Sequence, residues 1–195
     1  MKKIIIAIDS FKGCLTSAEA GKAAEKGIKS INPFCHTSVI PIADGGEGLL
    51  DVLITATKGK YITLSAHGPL MKMAKTHYGL SGNGRTAIIE MAAISGLPLV
   101  PIEQRNPMLT TTFGTGELIK DALNKGCRNF IIGIGGSATN DAGLGMLQAL
   151  GFRFLDKSGH TLGTGGQIME AVANIDTSGI HPALRETHFM VACDV

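Results

Sequence analysis

One segment of the chain, FIIGIGGSATNDAGLGMLQALG (130–151), restricts the choice of folds more than any other. An isoleucine-rich apolar run leads into glycine and hydroxyl residues, and an apolar pattern with helical spacing follows. A strand that passes through a glycine loop into a helix is half of a βαβ unit, which belongs to sheets with parallel strands. The segment therefore predicts an α/β fold.

The same alternation of strands and helices recurs along the chain. A capping box of Thr16 and Glu19 and an apolar stripe to Ile31 predict the first helix. The turn sequence SGNG between two strand-like runs predicts a β-hairpin over 71–92. Further strands are predicted at 3–8, 37–42, 61–66, 152–156 and 188–195, and further helices at 49–56, at 113–126 and in the second part of 160–175.

Composition and charge exclude several classes of function. The 195 residues carry a net charge of +2 with no basic stripe, so a nucleic-acid partner is not expected. No apolar run is long enough to span a membrane, and the first apolar run stops at Asp9, which favours a strand over a signal peptide. The four cysteines are scattered without metal-binding spacing, which predicts a reduced, cytoplasmic protein.

Three loops that follow predicted strands combine glycines with an acid: DSFKG from Asp9, ADGGEG around Asp44, and GIGGSATND up to Asp141. Glycine lets backbone N–H groups approach a phosphate closely, and a helix that starts after the loop adds a favourable dipole. Carboxylates beside a phosphate repel it unless they hold Mg²⁺ or act as a base. Loops with both features fit metal-assisted phosphoryl transfer.

Other interpretations of these residues remain open at this stage. The chain lacks the P-loop motif, but Gly133, Gly135 and Ala138 match G-x-G-x-x-A, and Asp156 follows at the distance of a ribose-binding acid. An NAD-binding oxidoreductase is therefore the alternative function. Asp141 is also suited to cap a helix. The remaining structural alternatives are a solvated loop lysine at Lys12, a first-turn helix charge at Glu47 and an outward-facing acid at Glu90.

Taken together, five long motifs resemble those of the bacterial glycerate kinases that make 2-phosphoglycerate: AIDSFKGCLTSAEA, PIADGGEG, TTFGTGELI, IGIGGSATNDAGLGMLQALG and FMVACDV. The resemblance runs from residue 4 to the last residue. It implies an ATP- and Mg²⁺-dependent kinase that phosphorylates D-glycerate, with the possibility of a homo-oligomer left open. Because members of that family are about twice as long, it also implies that a C-terminal half is missing and that an inactive fragment is a further alternative.

The resemblance also implies a domain map and a set of site residues. Residues 1–66 are expected to form the N-terminal part of a Rossmann-like domain, and residues 67–195 an inserted α/β domain. The expected catalytic residues are Asp44, Lys12 and Asp194, as base, metal holder or charge neutraliser. The residues expected to face substrate or phosphate are Asp9, Ser10, Gly45, Glu47, Gly135, Gly136, Ser137, Asn140 and Asp141, and Thr139 is a further candidate to hold substrate oxygens.

Overall fold

The computed structural model describes residues 3–11 and 13–193. Its strands are β1 (Lys3–Ile6), β2 (His36–Val39), β3 (Lys60–His67), β4 (Met73–Leu80), β5 (Thr86–Glu90), β6 (Asn129–Gly133), β7 (Arg153–Leu155), β8 (Asn174–Asp176) and β9 (His188–Ala192). Its α-helices are α1 (Ser17–Ile31), α2 (Leu49–Thr57), α3 (Ala92–Ser95), α4 (Phe113–Asn124) and α5 (Leu144–Ala149). The protein is thus a mixed α/β structure, as the sequence predicts.

The first part of the chain is a β1–α1–β2 unit with parallel strands, in the register Lys3↔His36 to Ile6↔Val39. Helix α1 begins where the sequence predicts, because Thr16 and Glu19 form the capping box. The Glu19 N–H donates to Thr16 Oγ1 at 3.2 Å, and the Thr16 N–H donates to Glu19 Oε2 at 2.9 Å. Two N–H groups that a helix leaves unpaired are satisfied in this way.

The central sheet has five strands in the order β3-β4-β5-β6-β9. Strands β3, β4 and β5 are antiparallel neighbours, which confirms the predicted hairpin. Strands β5, β6 and β9 are parallel, so their carboxyl ends lie at one edge of the sheet. Ligands of open α/β sheets gather outside that edge.

Helices cover both faces of the sheet. On one face, Leu50 and Ile54 of α2 pack against Ile88. The same two side chains lie close to Gly79: a Cβ on Gly79 would be 2.5 Å from a methyl carbon of Leu50 and of Ile54. On the other face, α4 contributes Leu118, Ile119, Ala122 and Leu123 to a core that also holds Tyr78, Ile89 and Phe130. Burying each large apolar side chain contributes about 1.5–3 kcal/mol. This packing holds the carboxyl edge of the sheet in place.

Several predicted elements differ from the structure. In place of an α-helix within 160–175, the chain forms a 3₁₀-helix, Gly166–Ala171, followed by β8, which pairs antiparallel with β7 in a separate sheet. Strand β2 ends at Val39 instead of 42: the Ile40 N–H still donates to the Ile6 carbonyl, but Pro41 has no N–H with which to continue the ladder. Strand β9 ends at Ala192.

Strand β3 pairs with β4 over its whole length, from Lys60↔Leu80 to His67↔Met73. The sheet therefore continues across the predicted domain boundary between residues 66 and 67. The two-domain map stays a prediction. Within the described part of the chain, no helix is long and apolar enough to cross a membrane.

Candidate active site at the carboxyl edge of the sheet

Loop 44–48 lies against the carboxyl ends of β6 and β9. A Cβ on Gly45 would lie 2.7 Å from the carbonyl carbon and oxygen of Ala192, and a Cβ on Gly135 would lie 2.7 Å from the Cα of Gly46. A Cβ on Gly133 would lie 2.5 Å from the Gly45 carbonyl oxygen. Two of the three acid–glycine loops are thus in direct backbone contact, and glycine is required for that approach.

Gly45 also has a backbone conformation that favours glycine. Its φ angle is +92°, in the left-handed region that L side chains rarely adopt. Beside it, the Asp44 carboxylate accepts the Gly46 N–H at 2.9 Å through Oδ1. Asp44 is half-buried, so its side chain both shapes the loop and remains accessible at the edge of the sheet.

A cleft of about 500 Å³ opens between the β1–α1–β2 unit and α2. Its lining includes Ser10 and Glu47 from the predicted set, together with Glu90 at the end of β5. Asp9 lies beside this cleft, where its Oδ1 accepts the Ser10 N–H at 2.6 Å. The cleft is large enough for a small organic acid or part of a nucleotide, and several carboxylates line it.

Glu90 is a further site candidate. The sequence pattern allows either an outward-facing acid or one that lines a site, and it slightly favours the first. Its Oε1 accepts the Leu50 N–H at 2.7 Å, which caps the start of α2, and its side chain is half-buried. Burial raises the pKa of Glu90, and the N–H groups of Leu50 and Gly48 oppose that shift. The signal available in the sequence was an acid that ends an apolar strand, directly at the carboxyl edge of a parallel sheet.

Ser17 is a second residue whose position the sequence did not reveal. It is 8% exposed. Its hydroxyl donates to the Ile8 carbonyl at 2.6 Å and accepts the Ile42 N–H at 3.0 Å. This one side chain ties the segment after β1 to the segment after β2. In the sequence it is the first residue of a helix, next to the capping box, and no local pattern indicates this role.

Asp141 lies beneath the loops. It is 1% exposed, and its carboxylate accepts the N–H groups of Thr112, Gly143 and Gly145 at 2.8 to 3.1 Å. The hydroxyls of Thr111 and Thr112 donate to it as well. A carboxylate with this many donors stabilises the loop before α5 and the start of α4, so the geometry favours the capping alternative.

The other predicted residues of this loop differ in exposure and in the pocket that they line. Gly136 and Asn140 are exposed, whereas Ser137 is half-buried. The hydroxyl oxygens of Ser137 and Thr139 are 2.8 Å apart and hydrogen-bonded. Ser137 and Thr139 line a second, smaller pocket. Its other wall is segment 97–110, which precedes α4. The predicted residues Lys12 and Asp194 lie outside the described residues.

Carboxylates suited to Mg²⁺ are present, although no cluster of three metal-binding side chains occurs in residues 3–11 and 13–193. Mg²⁺ keeps several waters and is bound through one or two carboxylates together with substrate phosphates. Glu47 and Glu90, which line the same cleft, meet that requirement. The residues present therefore fit a magnesium ion that arrives with a nucleotide.

The dinucleotide fingerprint is not formed by this geometry. Helix α5 begins only at Leu144, after a long loop, whereas a dinucleotide-binding helix opens within its glycine motif. Gly133 and Gly135 serve the packing of loop 44–48 instead. Asp156 follows β7 in a different sheet and accepts the N–H groups of Ser158 and His160. The predicted alternative of an NAD site is thus not supported.

Comparison with known families decides the lineage of this chain. The model of the glycerate kinase family matches residues 4–195. The chain belongs to the glycerate kinase family.

Individual relatives agree with this membership. The chain is 53% identical over 193 residues to a glycerate kinase of Bacillus subtilis, covering 99% of this chain and 50% of the relative. It is 49% identical to the glycerate 2-kinase of Escherichia coli, covering 99% of this chain and 51% of that one. A crystal structure of a putative glycerate kinase 2 from Salmonella typhimurium superposes with a TM-score of 0.89 at 48% identity, covering all of this chain and 52% of the other. This member of the family therefore spans about half the length of the curated relatives it matches.

Proposed function

We propose that the protein containing this chain transfers the γ-phosphoryl group of ATP to a hydroxyl of D-glycerate, giving 2-phosphoglycerate and ADP. The observation that carries this proposal is the contact between the two acid–glycine loops, 44–48 and 133–141, at the carboxyl edge of the parallel strands. The names of relatives about half identical over this chain's whole length support the choice of glycerate as acceptor.

In the proposed reaction, the substrate hydroxyl oxygen forms a bond to the γ-phosphorus while the bond to the bridging oxygen of ADP breaks. A carboxylate receives the hydroxyl proton, and Asp44 or Asp194 is proposed for this role. Lys12 is proposed to neutralise phosphate or carboxylate charge. Mg²⁺ bound with ATP would supply charge neutralisation and orientation of the phosphates, and Glu47 and Glu90 are the carboxylates proposed to hold it.

Backbone groups are proposed to bind the phosphates. The N–H groups of Gly135, Gly136 and Ser137 make no hydrogen bond within the described part of the chain, so they are available to an anion at the strand end. Preorganised donors of this kind stabilise charge that develops in a transition state, and each is worth about 10²–10³ in rate. Asp9, Ser10 and Asn140 are proposed to contact the acceptor from the surrounding loops.

The fold assignment that accompanies this function is a Rossmann-like domain with a second α/β domain inserted into it. The parallel β1–α1–β2 unit supports the first of these. A cytoplasmic location is also proposed, which agrees with the absence of a disulfide bond among the described cysteines, Cys14, Cys35, Cys127 and Cys193. A homo-oligomer remains part of the proposal.

A coupled assay for ADP release tests the function. D-glycerate is compared with L-glycerate and with other small hydroxy acids, with and without Mg²⁺, and NMR of the product identifies the phosphorylated hydroxyl. We expect turnover of D-glycerate that requires Mg²⁺. Turnover of another hydroxy acid with none on glycerate would reject the proposal.

The same assay distinguishes an inactive fragment from an enzyme. We compare the 195-residue chain alone with the same chain joined to the remaining half of the Bacillus subtilis relative. Activity in the joined protein alone would support the kinase proposal and would show that this half is insufficient. Absence of activity in a folded joined protein would count against the proposal.

A further inference from the structure

A second pocket, of about 230 Å³, lies on the far side of the loop that follows β6. Its walls come from segment 97–110 and from residues 137–139 of that loop. The polar side chains that line it are Arg105, Asn106, Thr110, Ser137 and Thr139. Arg105 is the one charged residue among those lining residues, so the pocket is positive.

No side chain in the described part of the chain neutralises the charge of Arg105. Its Nε–H donates to the Val100 carbonyl oxygen at 3.3 Å, and it forms no ion pair with any residue in 3–11 or 13–193. By contrast, Arg153 is paired with Asp176. A guanidinium anchored on a backbone carbonyl keeps its other N–H donors for a ligand, and its planar fork matches the two oxygens of a carboxylate or phosphate.

The walls of the pocket are tied together by hydrogen bonds. The Leu97 N–H donates to the Gly136 carbonyl at 3.0 Å, and the Ala138 N–H donates to the Ser95 carbonyl at 2.8 Å. The Thr110 hydroxyl donates to the Ala138 carbonyl at 2.8 Å. Because both walls are fixed before any ligand arrives, little ordering cost remains for binding.

The 500 Å³ cleft and the smaller pocket differ in charge. The 500 Å³ cleft is lined by Glu47, Asp51 and Glu90, which repel an anion that arrives without a metal ion. The smaller pocket has no carboxylate in its lining, and it has an apolar wall at Leu97 and Val100. An anion without a metal ion is therefore attracted to the smaller pocket and repelled from the cleft.

We infer that the pocket formed by Arg105, Ser137 and Thr139 is an oxyanion subsite that binds the carboxylate of a small hydroxy acid or a phosphate group. Binding of the anion does not depend on kinase activity. Its assignment to a reactant of the kinase rests on the proposed function.

Binding measurements on the protein used for the kinase assay test this inference. The probes are D-glycerate, inorganic phosphate and ATP, each titrated by calorimetry or NMR at constant ionic strength. The variants are Arg105→Gln, Arg105→Lys and, as control, Arg185→Gln. Arg185 is an exposed arginine in the segment before β9, at the opposite edge of the sheet.

We expect Arg105→Gln to weaken binding of at least one probe by about 10-fold or more, since a charge-assisted hydrogen-bond pair is lost. The affinity of Arg105→Lys should lie between those of Arg105→Gln and the wild type, and the affinity of Arg185→Gln should equal that of the wild type. A loss confined to glycerate assigns the subsite to a carboxylate, and a loss for phosphate and ATP assigns it to a phosphate group.

Three results would overturn the inference: no binding of any probe by the wild type at millimolar concentration, unchanged binding by Arg105→Gln, or an equal loss in Arg185→Gln. The outcome is independent of the proposed function. Arg105-dependent binding without kinase turnover rejects only the function, and turnover with unchanged binding in Arg105→Gln rejects only the subsite.

Discussion

At the scale of single residues, substitution of Asp44 should separate its proposed catalytic role from stability. Asp44→Asn keeps an oxygen that can accept the Gly46 N–H, so loop 44–48 should retain its conformation. We expect the rate to fall about 10²-fold or more, which is the scale of removing one electrostatic partner from a transition state. Steady-state kinetics and a melting curve measure the two effects, with the exposed Glu170→Gln as control. A near-normal rate with an unchanged melting temperature would contradict a catalytic role.

Substitution of Asp141 should reduce stability, in contrast to substitution of Asp44. Asp141→Asn replaces one acceptor oxygen with an NH₂ group that faces N–H donors, among them those of Thr112 and Gly145. We expect the free energy of unfolding to fall by about 3 kcal/mol, because buried donors lose a charged acceptor. Denaturant unfolding measures the loss. Asp156→Asn, in an exposed turn after β7, is the matched control and should cost less than about 1 kcal/mol. Equal losses would remove the special role of Asp141.

Glu90 should make stability depend on pH. Because burial raises its pKa above the ordinary value of 4.5, the folded state binds the proton more tightly than the unfolded state does. The resulting stabilisation is complete below pH 4.5 and is lost as pH rises through the folded-state pKa. The charged groups that face Glu90 are Asp51 on α2, which raises its pKa, and His77 on β4, which lowers it.

The test is to unfold the wild type and Glu90→Gln in denaturant from about pH 4 to about pH 8. Glutamine keeps an acceptor for the Leu50 N–H but cannot ionise. We therefore expect the stability of Glu90→Gln relative to the wild type to increase as pH rises. A difference that is constant across this range would contradict the burial-driven pKa shift.

At the scale of loops and helices, contact between the two acid–glycine loops should be necessary for activity. Gly135→Ala places a Cβ 2.7 Å from the Cα of Gly46, and backbone atoms there cannot move aside without shifting a loop. We expect kcat/KM to fall at least about 10-fold, since small misplacements of reacting groups are costly. A mutant with wild-type kcat/KM would show that the contact is not needed.

The control for this substitution is Gly27→Ala in the middle of α1. A Cβ there meets nothing within 4 Å. Alanine in a helix interior should therefore leave activity unchanged and raise the free energy of unfolding by about 0.5–1 kcal/mol.

Elements with strong local signals were predictable from sequence. The capping box of Thr16 and Glu19 defined the start of α1, and the turn residues SGNG defined the β4–β5 hairpin. The structure of residues 160–175 was not predictable, because tertiary contacts select a 3₁₀-helix and a short strand there. The Gln167 N–H donates to the Met108 carbonyl, and β8 pairs with β7. Local periodicity carries no information about such distant partners.

The site was predictable in outline and not in detail. Glycines beside acids at strand ends predicted loops that face a ligand, and the structure brings loops 44–48 and 133–141 into contact. Sequence could not separate Asp141, which is buried, from Asp44, which remains accessible, because both are acids in glycine-containing loops after a strand. Glu90 was left open between two positions and Arg105 was missed, for the opposite reason. Neither lies in a glycine motif, and only tertiary packing brings them to the loops.

At the scale of the whole molecule, the edge of the central sheet favours association. Strand β9 is an edge strand, and Phe189, Met190 and Val191 are 43%, 59% and 59% exposed. Alternate residues of a strand point to opposite faces, so both faces of β9 are partly exposed, although Phe189 stacks on Phe130 with ring centroids 5.0 Å apart. An exposed apolar edge invites pairing with another chain. We expect the 195-residue chain to self-associate as its concentration rises, as measured by size-exclusion chromatography with light scattering.

Met190→Lys should reduce this association, because a lysine on an edge strand opposes pairing. Met169→Lys is the matched control. It adds the same charge at an exposed methionine of the 3₁₀-helix, away from the sheet edge. A monomeric wild type, or equal effects of the two substitutions, would contradict the assignment of the association to β9.

The order of strands in the central sheet also has a consequence for how the protein folds. Strands β3, β4 and β5 follow one another along the chain and pair with their sequence neighbours, so only short loops must close. Strand β9 reaches β6 only after the chain has passed through α5, β7 and β8, and closing a longer loop costs more entropy. Pairings between distant segments slow folding. The antiparallel half of the sheet is therefore the natural place for folding to start, and the edge of β6 stays open until β9 docks.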